Sequence, residues 1–184
     1  MQKYNVTNYY DYPVDVVCQV LMEIPNIYSL ADLPNVSTNE LVEERNVGDK
    51  KYLKVKWDVQ GQLPPIVQKV VKPNMLTFVE DSVWDRTRRI YSTKIIPGFF
   101  KNAIDAHHEL EFLDEKGRTK RVLRGHFEFK VPIVGPIFEG LVINLLKQNI
   151  DADFKLSTKA LKQYIEKNGV PEITYRSLGG QAGK

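Results

Sequence analysis

Three histidines, two of them adjacent, are the side chains best suited to metal binding or proton transfer: His107-His108-Glu109, with Glu111 near and His126 further on. Imidazole and carboxylate are common zinc ligands, so the question is whether these groups can converge. Successive residues of a strand point to opposite faces, which separates His107 from His108. Pairing across the following hairpin sets Asp105 against His126, His107 against Arg124 and Glu111 against Lys120, a charge-matched outer face. No metal or other cofactor is expected. His108 is left alone on the apolar face, either as a hydrogen-bonded core residue or as a ligand contact.

Glu80, Arg89 and Tyr91 form a second group on one hairpin. If Glu80 and Arg89 face inward, they neutralise each other or orient a polar ligand group, because a buried charge needs a partner. Strand curvature carrying both to the rim is the alternative. Acid–base catalysis needs a perturbed carboxylate or histidine near substrate. Glu80, Arg89, Tyr91 and His108 supply the inward candidates but show no nucleophile–base spacing, so no catalytic residue is assigned. The single cysteine, Cys18, sits among Val16, Val17 and Val20, where a buried inert thiol is expected.

The elements that must position these groups follow from periodicity. Tyr4 to Tyr10 reads as a strand, and Pro13 opens a short helix that ends before Pro25, with a further helical turn near Ile27 to Ala31. Thr38 to Val47 and Lys50 to Gln60 flank Gly48-Asp49 as a hairpin. That register sets Val42 opposite Val55 and Glu44 opposite Leu53, with Trp57 and Val59 on the same face. Met75 to Trp84 and Thr87 to Ile96 turn at Asp85-Arg86, and Leu76, Phe78, Trp84, Tyr91 and Ile95 share a face with Glu80, Ser82 and Arg89. Ala103 to Leu113 and Arg118 to Val131 turn at Asp114-Glu-Lys-Gly, so that Ile104 faces Phe127, Ala106 faces Gly125 and His108 faces Leu123. Ala106 beside Gly125 leaves room above the sheet. Val131 to Leu146 then runs into a helix of some thirty residues, apolar over more than one stripe in its first half and in need of cover on several sides. Asn144, Gln148 and Asp151 recur on it as either its solvent side or a polar seam facing a cavity. Gly169 caps it and Pro171 forbids resumption.

The chain has 184 residues with 42% hydrophobic side chains and no Pro, Ser or Gly linker, which fits one domain over 1–168 and a loose tail over 169–184. The formal charge is +3, with basic residues interleaved among acids rather than gathered in a stripe, so nucleic acid is excluded as a partner. A lone cysteine, no signal-peptide core and no run long enough to span a bilayer make the cytoplasm the expected location.

Strand, two short helices, six antiparallel strands and a long helix is an order that resembles the START-like helix-grip superfamily, also called SRPBCC. It includes birch-pollen-allergen-like proteins, polyketide cyclases and steroidogenic lipid-transfer domains. Leu63-Pro64, Trp84 and Val131-Pro-Ile-Val-Gly-Pro-Ile-Phe-Glu139 look most like a bacterial single-domain branch of it. The resemblance covers residues 1 to 166. It implies an α+β helix-grip fold, a seven-stranded curved antiparallel sheet around the C-terminal helix, and an internal cavity for a lipid, sterol or polyketide-like ligand. It transfers no catalytic residue. Ligand-facing candidates are Trp57, Phe78, Glu80, Trp84, Arg89, Tyr91, Ala106, His108, Gly125 and Phe127 from the strands, with Leu141, Leu145, Gln148 and Ala152 from the helix. Alternating strands bring three loops to one end, where Leu63, Ile66, Phe99, Phe100 and Ile133 gather near Lys69, Lys72 and Lys101, the composition of an entrance that touches a membrane surface. The expected function is binding and transport of a small hydrophobic ligand. The alternatives are a cyclase or isomerase using the same cavity, and a ligand-free domain acting through a protein partner.

Overall fold

Residues 1–176 are described by the structure, a computed structural model. Its strands are β1 (Gln2–Tyr10), β2 (Val36–Val47), β3 (Lys50–Val59), β4 (Thr77–Asp85), β5 (Ile90–Pro97), β6 (Ile104–Glu115) and β7 (Arg118–Phe129); its helices are α1 (Val14–Cys18), α2 (Pro65–Gln68) and α3 (Val134–Asn168). The strands form one antiparallel sheet in the order β1-β7-β6-β5-β4-β3-β2. This is the helix-grip arrangement, α+β, with short helical pieces between β1 and β2. None of the described helices is long and apolar enough to cross a membrane.

Turn chemistry sets the registers. Gly48 adopts a left-handed φ of 58° in the β2–β3 turn, and Glu44 lies opposite Leu53 as its two-residue length requires. Val42 does not face Val55. A bulge between Leu41 and Glu43 puts Leu41 opposite Val55 and turns Val42 outward. The β4–β5 turn is longer than Asp85-Arg86. Asp85 pairs with Ile90, and Arg89, at φ 56°, belongs to the turn rather than to a strand. In the β6–β7 hairpin Lys116 and Gly117 both have positive φ, 56° and 82°, the signature of a two-residue type I′ turn. The four-residue loop expected there is wrong by two residues, so Ala106 faces Phe127, His108 faces Gly125 and His107 faces His126. A shift of two leaves every side chain on its expected face and changes only its partner.

α1 buries Val14, Val16, Val17 and Cys18, and continues as a π-helical turn over Gln19–Glu23. That turn is held by the Glu23 carboxylate, which accepts hydrogen bonds from Trp84 Nε1 at 2.8 Å and from Arg86 Nε and Nη2 at 2.8 and 3.0 Å. The bidentate geometry suits a buried guanidinium. The second turn of α3 is tied to β7 in a similar way, with Phe129 N donating to Glu139 Oε1 at 2.8 Å and the N-terminal amine 2.9 Å from Glu139 Oε2. At the other end of α3, Gly169 at φ 77° donates its N–H to Ile165 O.

The first part of the expected loose tail is docked. Tyr175 is fully buried beside Trp84, its hydroxyl donates to Asp15 Oδ1 at 2.6 Å, and the Thr174 and Tyr175 N–H groups donate to Gln19 Oε1. Pro171 stops the helix as expected, but the chain then turns back over α1; residues 177–184 lie outside the described residues. Deleting a buried aromatic ring leaves a cavity, so Tyr175→Ala is expected to lower stability by about 3 kcal/mol in urea unfolding. An unchanged midpoint would mean that the segment is not part of the folded core.

Candidate functional site

α3 packs chiefly on β7 and β1. Over β3 to β6 the helix stands farther from the sheet, and two adjoining cavities of about 460 and 180 Å³ lie between them. Val59, Phe78, Glu80, His108 and Leu146 line both. The larger one continues along Leu53, Val55 and Trp57 of β3, Tyr91 of β5 and Leu110 of β6, under Tyr28, Leu30 and Leu33 from the connection after α1. The smaller one is bounded by Tyr4, Ile95, Ala106, Phe127, Phe138 and Phe99.

Of the residues singled out from sequence, Trp57, Phe78, Glu80, Tyr91 and His108 thus come together on the larger cavity, and Ala106 and Phe127 on the smaller. Trp84 does not face either: it is a core residue whose N–H is taken by Glu23. Arg89 lies at the turn, 3.6 Å from Asp15, and is no partner for Glu80, whose strand neighbour is Ile95. Gly125 leaves no space. Tyr4 of β1 pairs with it, and a Cβ at this position would press into the Tyr4 hydroxyl and the His107 carbonyl. Leu141 packs in the cluster of Leu63, Phe129 and Phe138, Leu145 lies against Gly61, and Ala152 packs beside Leu33, Val36 and Trp57, and none of these three lines either of the two cavities. Gln148 is exposed, as are Asn144 and Asp151; they are the solvent side of α3. At the loop end, Ile66, Phe99 and Ile133 are exposed, whereas Leu63 is buried and Phe100 stacks edge-on against Phe129 at 5.3 Å.

The inward polar seam of α3 is Asn149, Asp153 and Ser157, which the sequence reading missed. Their spacing of four is the signal that could have found them. Asp153 accepts from Tyr28 Oη and from Arg121 Nη2, each at 2.6 Å, and Tyr10 Oη lies 2.8 Å from Ser157 Oγ and 3.5 Å from Arg121 Nη1. Burial raises the Tyr28 and Tyr10 pKa values, so both hydroxyls stay neutral donors. On the outer face His107 and His126 lie Nδ1 to Nδ1 at 3.4 Å, His126 reaches Asp105 at 3.4 Å and Arg124 reaches Glu111 at 3.1 Å. Among the described residues no three potential metal ligands cluster.

Glu80 is the group without an answer inside the site. The surface it retains is cavity wall, and no cation pairs with it among the described residues. Burial pushes its pKa up to about 7; the Trp57 indole N–H nearby offsets part of the rise and the Asp153 charge adds to it. That indole N–H is buried and has no acceptor in hydrogen-bonding geometry among the described residues. Burial, with His107 nearby, takes His108 down to about 4, so its ring is neutral near pH 7. Tyr4 and Tyr91 are raised by burial and then by the Glu80 charge, which places both hydroxyls within its electrostatic reach.

These shifts have opposite consequences for folding. The unfolded chain ionises Glu80 near pH 4.5 and the folded protein only near pH 7, so folding stability falls as pH rises between the two and the penalty is complete above. His108, depressed from 6.5 to about 4, weakens folding as pH falls below 6.5. Glu80→Gln is expected to add about 3 kcal/mol at pH 8 and little at pH 4.5, read from denaturant unfolding at the two pH values. Equal effects at both would mean that Glu80 is solvated.

No curated protein matches this chain. Solved structures do, at low identity. The Zhui aromatase/cyclase of Streptomyces sp. R1128 superposes with a TM-score of 0.64 at 16% identity, over 92% of this chain and 99% of that one. TTHA0849 of Thermus thermophilus gives 0.62 at 18%, over 88% and 98%. Norcoclaurine synthase of Thalictrum flavum gives 0.58 at 12%, over 91% and 87%. These likenesses establish the helix-grip fold. Residues 5–161 match a family described as "Protein of unknown function (DUF2505)", and since that span is most of the sequence, the chain belongs to that family.

Proposed function

We propose that this protein binds one small, predominantly apolar molecule between the inner face of β3 to β6 and α3, as a carrier or sensor. The observation that carries the reading is the pair of adjoining cavities, about 460 and 180 Å³, walled by aromatic and aliphatic side chains with a few polar groups directed inward. The larger lies in the volume range of small-molecule sites, about 300–1,000 Å³. Burying about 300 Å² of apolar ligand at about 25 cal/mol/Å² supplies roughly 7 to 8 kcal/mol before ordering costs, enough for micromolar-class binding. Proteins of the same fold named aromatase/cyclase and norcoclaurine synthase support a small-molecule role for such an interior. A lipid, sterol or polyketide-like body fits the walls.

Leu146→Trp places an indole where both cavities meet and is expected to weaken binding of an environment-sensitive apolar probe by about tenfold or more while keeping a cooperative melt. Undiminished probe affinity in a folded variant would remove the cavity reading. One observation favours catalysis as the second reading: a carboxyl poised near pH 7 and a neutral histidine line the same cavities, where either can move a proton at a substrate carbon. Under that reading His108→Gln abolishes turnover of the substrate with little effect on its binding.

Membrane contact at the loop end belongs to the carrier reading, supported by exposed Ile66, Phe99 and Ile133 near Lys69, Lys72 and Lys101. A basic side chain at an anionic surface contributes about 1 kcal/mol, so the contact is weak and salt-sensitive. Phe99→Ser is expected to lower co-sedimentation with anionic vesicles at an unchanged melting temperature, whereas Phe100→Ser, which removes a ring packed on Phe129, lowers the melting temperature. Unchanged co-sedimentation of the Phe99 variant would refute docking there.

A further inference from the structure

Every charge around the larger cavity except one has a counter-charge. Arg121 Nη2 lies 2.6 Å from Asp153 Oδ2. Lys51 Nζ lies 3.6 Å from Glu44 and donates to Met22 O at 3.2 Å. Among the described residues Glu80 alone has neither an ion-pair partner nor a cation among the causes that set its ionisation. It projects from β4 into the wall shared by both cavities, and the rings around that wall are Trp57 and Phe78, stacked at 6.3 Å, with Tyr91 on the larger side and Tyr4 and Phe127 on the smaller. The groups acting on or acted on by Glu80 are thus Tyr4 of β1, Trp57 of β3, Tyr91 of β5 and Asp153 of α3, and neutral His108 of β6 lines the same two cavities. All are neutral or negative.

A buried carboxylate without a partner is costly, and aromatic faces attract cations through their ring quadrupoles. Neutral ligand groups leave the carboxylate uncompensated, and an anionic group is repelled by it. A protonated amine supplies the missing charge and meets π faces on both sides. We infer that the ligand is an amphiphilic amine, its ammonium seated against Glu80 between the Trp57, Phe78 and Tyr91 rings and its apolar body filling the cavities. This rests on the cavity reading and names the chemical class that the cavity selects. Because Glu80 is poised near pH 7, ionising it to receive the amine costs little at neutral pH and progressively more below. Binding to protein in which Glu80 is still protonated releases one proton.

The test uses three probes with one decyl chain, decylamine, decan-1-ol and decanoate, titrated calorimetrically into the purified chain after removal of any co-purified ligand. Decylamine is expected to bind about tenfold or more tightly than decan-1-ol at pH 7.5, with decanoate weakest, and its advantage is expected to shrink at pH 5.5. At pH 6.5, titration in buffers of differing ionisation enthalpy should show proton release with decylamine and none with decan-1-ol. Glu80→Gln should erase the amine preference, bringing the decylamine and decan-1-ol affinities to within about twofold of each other. Decan-1-ol binding as tightly as decylamine to the unmodified protein would overturn the amine assignment and leave the cavity reading standing. Binding of none of the three would overturn both.

Discussion

One helix cannot cover seven strands. Strands lie about 4.8 Å apart and a helix with its side chains is about 10–12 Å across, so a single helix shields two or three of them. α3 takes β1 and β7, fastened at its start by Glu139 to the backbone of β7 and at its middle by Asp153 to Arg121. Over β3 to β6 the wall is shared by α3 and by the connection after α1, whose Leu30 and Leu33 pack at Trp57 together with Ala152 and Leu156, and space remains between them and the sheet. The cavities follow from this geometric shortfall rather than from any single small residue.

What makes the space selective is the distribution of charge within it. Asp153 is neutralised by Arg121 and further engaged by Tyr28, and Glu23 by Arg86 and Trp84, so each is part of the scaffold. Cys18 is likewise structural: burial pushes its thiol up to about 12, which leaves no thiolate for chemistry. Glu80 differs because the sheet brings it inward at a register position between Phe78 and Ser82 and supplies no counter-charge. Alternation forces it inside along with its apolar neighbours.

The order of elements, the hairpins and the long helix are legible in the sequence because hydrophobic period and turn residues are local signals. Strand alternation puts Trp57, Phe78, Tyr91 and His108 on the inner face and leaves Glu80 either inside or at the rim; the structure places all five on the larger cavity. Positions that depend on turn length are not legible in this way: the type I′ turn at Lys116-Gly117 moves Ala106 from Gly125 to Phe127, and the longer β4–β5 turn takes Arg89 away from Glu80. Gly125 suggests room when only its own hairpin is considered, and a third strand is needed to see that Tyr4 fills it. On α3 the sequence shows two polar rows, Asn144-Gln148-Asp151 and Asn149-Asp153-Ser157; helical period alone does not say which faces the sheet, and the partners Arg121, Tyr28 and Tyr10 that settle it are distant in sequence. The docking of Tyr175 on Asp15 and Gln19 is a contact of the same long-range kind.

Selectivity depends above all on Glu80 being an uncompensated carboxyl held inside the protein. Carbon-13 NMR of glutamate labelled at the side-chain carboxyl, with Glu80 assigned through its Gln variant, reads this directly in the empty protein. The expected titration midpoint is about 7, set by burial beside Trp57 and Asp153. A midpoint in the ordinary glutamate range, about 4.3, would contradict it, because it would place the carboxyl in water or beside an unseen cation.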